Sequence, residues 1–188
     1  MKFLLPFLLA TYETHITPQD ASIMFGDPVQ SAEWSMVPDV IICQGAPVKP
    51  HRVKQAVGYW SALGHDIGEV IEADANDFGC LRQVALNGEI LIDLASQSFR
   101  MGEHIAVTKT WVVKDTKEIL RARIEITSGW GNSDRVMEHE LGHALGFRDF
   151  NQTGHIMHSD WSKGGHKFKG LERKQENNYS KENILNGI

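Results

Sequence analysis

Apolar and polar positions alternate most clearly between residues 105 and 126. Ile105, Val107, Lys109, Trp111 and Val113 share one face of an extended segment. Leu120, Ala122, Ile124 and Ile126 share a face of the next, with Arg121, Arg123 and Glu125 opposite, and residues 114–117 make the connecting turn. A short apolar run at 40–43 has the pattern of a buried strand, and 67–71 and 89–94 read as further strands. Behind Pro50, a favoured first-turn residue, Val53, Ala56, Val57, Trp60 and Leu63 recur at helical spacing and predict a helix over 51–63. Asn87-Gly88 is a tight-turn signal, so 80–86 is expected to pair with 89–94 as a hairpin.

A second helix is predicted from residue 136. On a helical wheel Met137, Leu141, Ala144 and Leu145 fall on one side with Val136, and His139, Glu140 and His143 on the other. Asn132, Ser133 and Asp134 are candidate N-caps, and Gly146 is suited to the left-handed conformation that ends a helix.

The polar side of that helix carries chemistry. Residues four apart lie about 40° apart around the axis and about 6 Å along it, so His139 and His143 can aim their rings at one point. Two neutral imidazoles at that spacing suit Zn2+. Glu140 lies beside them as a candidate general base. If the chain turns back at Gly146, Asp149 can supply a third ligand; His155, His158 and Asp160 are nearby competitors. A zinc plan with a glutamate ligand from a downstream helix would have to use Glu172 or Glu176, and neither lies in a segment of the required kind.

The run His139-Glu140-Leu141-Gly142-His143-Ala144-Leu145-Gly146-Phe147-Arg148-Asp149 resembles the metzincin superfamily of zinc peptidases in its HExxHxxGxxD form. The segment Gly154-His155-Ile156-Met157-His158 resembles the family's methionine-containing turn. Its spacing is similar to that of the matrixin branch, whereas the aspartate as third ligand is similar to the snapalysin branch. The resemblance covers about residues 40–160. It implies an α+β, metzincin-like zincin fold: a twisted mixed β-sheet with two main helices above a small C-terminal subdomain after the zinc helix. It also implies one catalytic Zn2+ held by His139, His143 and Asp149, Glu140 as general base, Gly146 as the turn and Met157 as a hydrophobic base under the metal. By the same resemblance the strand at 105–113 would form the upper rim of a cleft and bind an extended protein or peptide substrate as an added strand. Trp111 reads as core or as a substrate contact. An aspartate ligand brings a full negative charge, so the metal is expected to be less electrophilic than with three imidazoles.

Composition adds bounds. The 188 residues, 41% hydrophobic and 23% charged, suit one globular domain. A net charge of −5 gives no electrostatic case for nucleic acid, and the basic stretch at 163–174 reads as solvated surface. The expected organisation is an N-terminal segment over 1–39, serving as a signal or a packed extension, and a catalytic domain over 40–188 whose halves meet near 146 and 147. Lys2 and the apolar residues 3–10 resemble a short secretory signal, too short to span a bilayer; Pro6 and the lack of a small-x-small site count against it. Secretion is thus only slightly favoured. Cys43 and Cys80 leave one bridge or two buried thiols open. A polar segment at 171–181 has the character of a final helix. The function expected is a zinc-dependent endopeptidase using zinc-activated water and a glutamate base. Hydrolysis of cell-wall peptide cross-links and a silent zinc-containing binding domain are the alternatives.

Overall fold

The computed structural model describes residues 26–96 and 104–173. Its elements run β1 (Glu33–Trp34), β2 (Asp39–Ile42), α1 (Pro50–Ala62), β3 (Val70–Glu72), α2 (Phe78–Arg82), β4 (Glu89–Leu94), β5 (Ala106–Val112), β6 (Glu118–Ile126) and α3 (Val136–Ala144). The six strands form one mixed, mostly parallel sheet in the order β1-β6-β4-β2-β3, with β5 antiparallel to β6. Since β5 takes one edge of β6, β1 and β4 share the other, β1 at Glu118 and Ile119 and β4 from Ala122 onward.

Side-chain alternation sorts the central strands onto two faces. Val40, Ile42, Ile90, Ile92, Ala122, Ile124 and Ile126 meet Val53, Ala56 and Trp60 of α1 and Val136, Met137 and Leu141 of α3 in the main core. On the other face Ile41, Cys43, Leu91 and Ala85 form a small cluster beside α2. The two long helices are therefore packed on one face. Two contacts fix them to each other: the Arg52 guanidinium makes a bidentate ion pair with Glu138, and Trp60 Nε1 donates to the Glu138 carbonyl at 2.8 Å.

Strands β2, β4 and β6 lie within a residue or two of where the apolar pattern puts them, and the strand expected at 67–71 shifts to Val70–Glu72, where it pairs with β2. Two expectations are corrected, and the buried face of β5, which alternation leaves open, is assigned. Residues 80–86 do not form a hairpin with β4, because β4 is flanked by β2 and β6, both parallel to it. Residues 80–82 instead complete α2, capped by Asp77, whose Oδ1 accepts from the Cys80 amide at 2.9 Å, and Cys43 and Cys80 are bridged. In β5 the residues buried inward are Ala106 and Thr108, while Val107, Lys109 and Trp111 are half-exposed on the opposite face, where the Arg121 guanidinium lies 5.1 Å from the Trp111 ring. At α3 the N-cap is Arg135 in the left-handed region, without a side-chain bond. Asn132 bonds the Lys49 amide ahead of α1 instead, and Asp134 lies 3.0 Å from His166.

After α3 the described chain is a series of turns, and its buried residues Phe147, Ile156, Met157 and Leu171 join the main core. Among the described residues no helix is long and apolar enough to cross a membrane. Residues 1–10 and most of 171–181 lie outside the described residues.

Candidate metal centre

Helix α3 ends in a Schellman turn: the Phe147 amide bonds the Gly142 carbonyl at 3.0 Å and the Gly146 amide bonds the His143 carbonyl at 2.9 Å. Gly146 has φ +93°, and a side chain there would run into the Ala32 carbonyl. Only glycine meets both demands. The last carbonyls of the helix are met by the chain around β1. Trp34 Nε1 donates to Ala144, Gln30 Nε2 to Leu145 and the Ser31 amide to Gly146, each at 2.9 Å. A helix end usually left to water is thus held by protein.

The turn brings Asp149 back under the helix, where its carboxylate Oδ1 lies 3.6 Å from His139 Nε2 and 3.4 Å from His143 Nε2. The two Nε2 atoms are 3.0 Å apart. Each ring is oriented from behind. His139 Nδ1 lies 2.9 Å from the Ile156 carbonyl and His143 Nδ1 2.8 Å from the Phe147 carbonyl. A carbonyl can only accept, so in both rings Nδ1 carries the proton and Nε2, in a neutral imidazole, presents a lone pair. Among the described residues, Asp149 Oδ1 is buried without a hydrogen-bond partner.

With both imidazoles neutral, three acceptors therefore face one another with no donor among them. Such a cluster is electrostatically unfavourable unless a proton or a metal cation joins it. Ligands about 2.05 Å from a tetrahedral centre stand about 3.3 Å apart, which matches the spread of these three separations. His139, His143 and Asp149 could hold a metal ion, and among the described residues they are the one such group of histidine, cysteine and carboxylate side chains.

In the metal-free site a proton on His143 takes the place of such a cation. Burial lowers the His139 imidazole below its ordinary value, and the neighbouring His143 lowers it further. Burial also acts to lower His143, but the facing Asp149 carboxylate outweighs it and lifts the group to about 9. For Asp149 burial acts upward, yet the two histidines hold its carboxyl below the usual carboxylate range. At 3.4 Å the His143–Asp149 contact exceeds ordinary hydrogen-bond length, so the attraction is one of charge.

Glu140 lies next to the triad and is almost fully buried. Its carboxylate Oε2 accepts a hydrogen bond of 2.6 Å from Thr108 Oγ1 on β5. Met157 is fully buried beneath α3 at Gly142, where a side chain would collide with its sulfur and come within 2.7 Å of Trp60 Cζ2. Of the competing ligands, His155 Nδ1 accepts from the Met157 amide at 3.1 Å, which ties up that nitrogen within the turn. His158 Nδ1 accepts from the Asp160 amide at 2.9 Å, and Asp160 itself binds Ser162 and Lys163. Glu172 bonds the Gly170 amide, and Glu176 lies outside the described residues. Thr108 is the residue that sequence reasoning missed: a threonine at the centre of a strand gives no sign that it will meet a carboxylate from another element.

Comparison with family models, with curated proteins and with solved structures gives no match for this chain.

Proposed function

We propose that the protein is a zinc-dependent endopeptidase of metzincin-like architecture, with His139, His143 and Asp149 holding one Zn2+ and Glu140 serving as general base. The observation that carries this reading is the convergence of three lone-pair donors, His139 Nε2, His143 Nε2 and Asp149 Oδ1, beside a buried carboxylate that is not one of them. A structural zinc site closes its fourth position with a protein ligand and has no use for a neighbouring base. Three protein ligands with an adjacent glutamate suit catalysis instead.

When bound, zinc supplies a Lewis acid that polarises the scissile carbonyl and makes water more acidic. The protein supplies the rest. Glu140 accepts a proton from the attacking water and passes it to the departing amide nitrogen. Two backbone carbonyls, of Ile156 and Phe147, keep the imidazoles in the tautomer that offers Nε2. Strand β5 packs beside α3 and pairs with β6 along one edge. Its other edge would take a peptide as an extended strand and fix the orientation of the scissile carbonyl. Under this reading Met157 is the apolar floor of the centre.

The test pairs wild type with Glu140→Ala on a mixed peptide library, with bound zinc measured in both. Cleavage by wild type and its loss in a variant that still binds one zinc is the expected result. A wild type that holds zinc yet cleaves nothing would overturn the proposal in favour of a binding domain.

A further inference from the structure

Thr108 sits at the centre of β5, the strand nearest the proposed base, with its side chain buried. Its backbone is fixed by the antiparallel ladder, where it lies opposite Ile124 of β6. A β-branched side chain on a strand has few χ1 choices, so the backbone largely decides where the hydroxyl points. That hydroxyl points at Glu140: Oγ1 lies 2.6 Å from the carboxylate Oε2 and 3.2 Å from the Glu140 carbonyl. The shorter distance is typical of a hydroxyl donating to an ionised acceptor. Among the described residues no other side chain hydrogen-bonds this carboxylate.

We propose that Thr108 is the positioning residue for Glu140, holding Oε2 so that Oε1 is the oxygen turned to the reacting water. This rests on the peptidase reading above and adds to it. A carboxylate can turn about its last side-chain torsion, and that torsion is broad. Anchoring one oxygen removes that freedom and leaves a single oxygen to exchange protons. It also joins two tasks in one strand: β5 would bind the substrate along its edge and orient the base from its inner face. A shift of the strand would move both together, so the base stays in register with the peptide it serves.

The bland account is that Thr108 only satisfies a buried carboxylate. The two accounts separate with Thr108→Val, which keeps the shape and removes the hydroxyl, and Thr108→Ser, which keeps the hydroxyl on an unbranched carbon. For Thr108→Val the expected result is a fall in kcat of roughly tenfold to a hundredfold with KM little changed, the range seen when a group that orients an active residue is lost. Thr108→Ser is expected to recover most of that loss. Zinc content should equal wild type in both. In metal-free protein, the Glu140 carboxylate carbon resonance should move in Thr108→Val and stay close to wild type in Thr108→Ser. Wild-type kcat in Thr108→Val, or an unmoved resonance, would overturn the role of Thr108 and leave the peptidase reading intact. A wild type that cleaves nothing would remove both.

Discussion

On the face of the sheet that carries α1 and α3, Val40, Ile42, Ile90, Ile92 and Ile124 meet Trp60, Met137 and Leu141 in one apolar cluster that continues to Met157 beneath α3 at Gly142. On the opposite face, Ile41, Cys43, Ala85 and Leu91 make a small patch beside the Cys43–Cys80 bridge. There, Arg123 joins Asp93 and Glu125, each at 3.1 Å, and Lys109 joins Glu125 at 3.2 Å. The first face is held by close packing of large side chains, the second by a covalent link and paired charges. Only the first touches the helix that bears His139 and His143. Damage to the two faces should therefore differ in kind as well as in size.

The sharpest way to break that contrast is Trp60→Ala. Trp60 is fully buried, stacks on Phe147 and lies against α3, so truncation should cost about 3–5 kcal/mol in urea unfolding. Zinc affinity should fall with it, because Phe147 begins the turn that carries Asp149. An unchanged affinity would mean that the core does not hold the site.

Replacing both cysteines with alanine is the matching change on the other face. The bridge joins residues 37 apart, and its loss should cost about 2–4 kcal/mol. Zinc affinity and cleavage rate should then stay at wild-type values once the protein is folded. A loss of zinc in this variant would show that the two faces are coupled.

A smaller effect concerns protons. His65 is buried against Trp60 and Phe147, with Nε2 2.6 Å from the Leu171 carbonyl. Burial lowers its pKa, and the bond to that carbonyl offsets this only in part. The folded protein therefore binds this proton less readily than the unfolded chain. Its stability is fully present above the unfolded value of about 6.5 and is lost as pH falls through that value toward the lower folded one. Urea midpoints at pH 7.5 and 5.5 should differ less in His65→Gln than in wild type. Equal differences would assign the acid sensitivity to other groups, such as His155, whose pKa burial also lowers.

Helix α3 was legible in the sequence because its polar and apolar positions separate cleanly: Met137 and Leu141 face the core, and His139 and His143 face Asp149. Strand β5 shows why alternation alone is incomplete. Alternation separates two faces without saying which is inner, and here the polar Thr108 points inward while Trp111 does not. The inner side is polar at that point because it borders a carboxylate. The error at 80–86 has another cause. Phe78 and Leu81 of α2 are more than 60% exposed, so burial gives that short helix little signature, and a cap and a distant cysteine hold it instead. Glycine roles were only half visible: Gly146 reads as a helix end, but its close approach to Ala32 depends on a segment more than a hundred residues away.

That approach bears on where the working unit begins. The apolar pattern suggests cutting the chain at residue 40, ahead of the first central strand. Such a fragment would keep His139, His143 and Asp149 and lose Gln30, Ser31 and Trp34, which between them satisfy the last three carbonyls before Phe147. Asp149 would then hang from an untethered helix end. A recombinant fragment meant to test metal loading has to start ahead of Val29, whose carbonyl accepts from the Arg148 amide right beside Asp149.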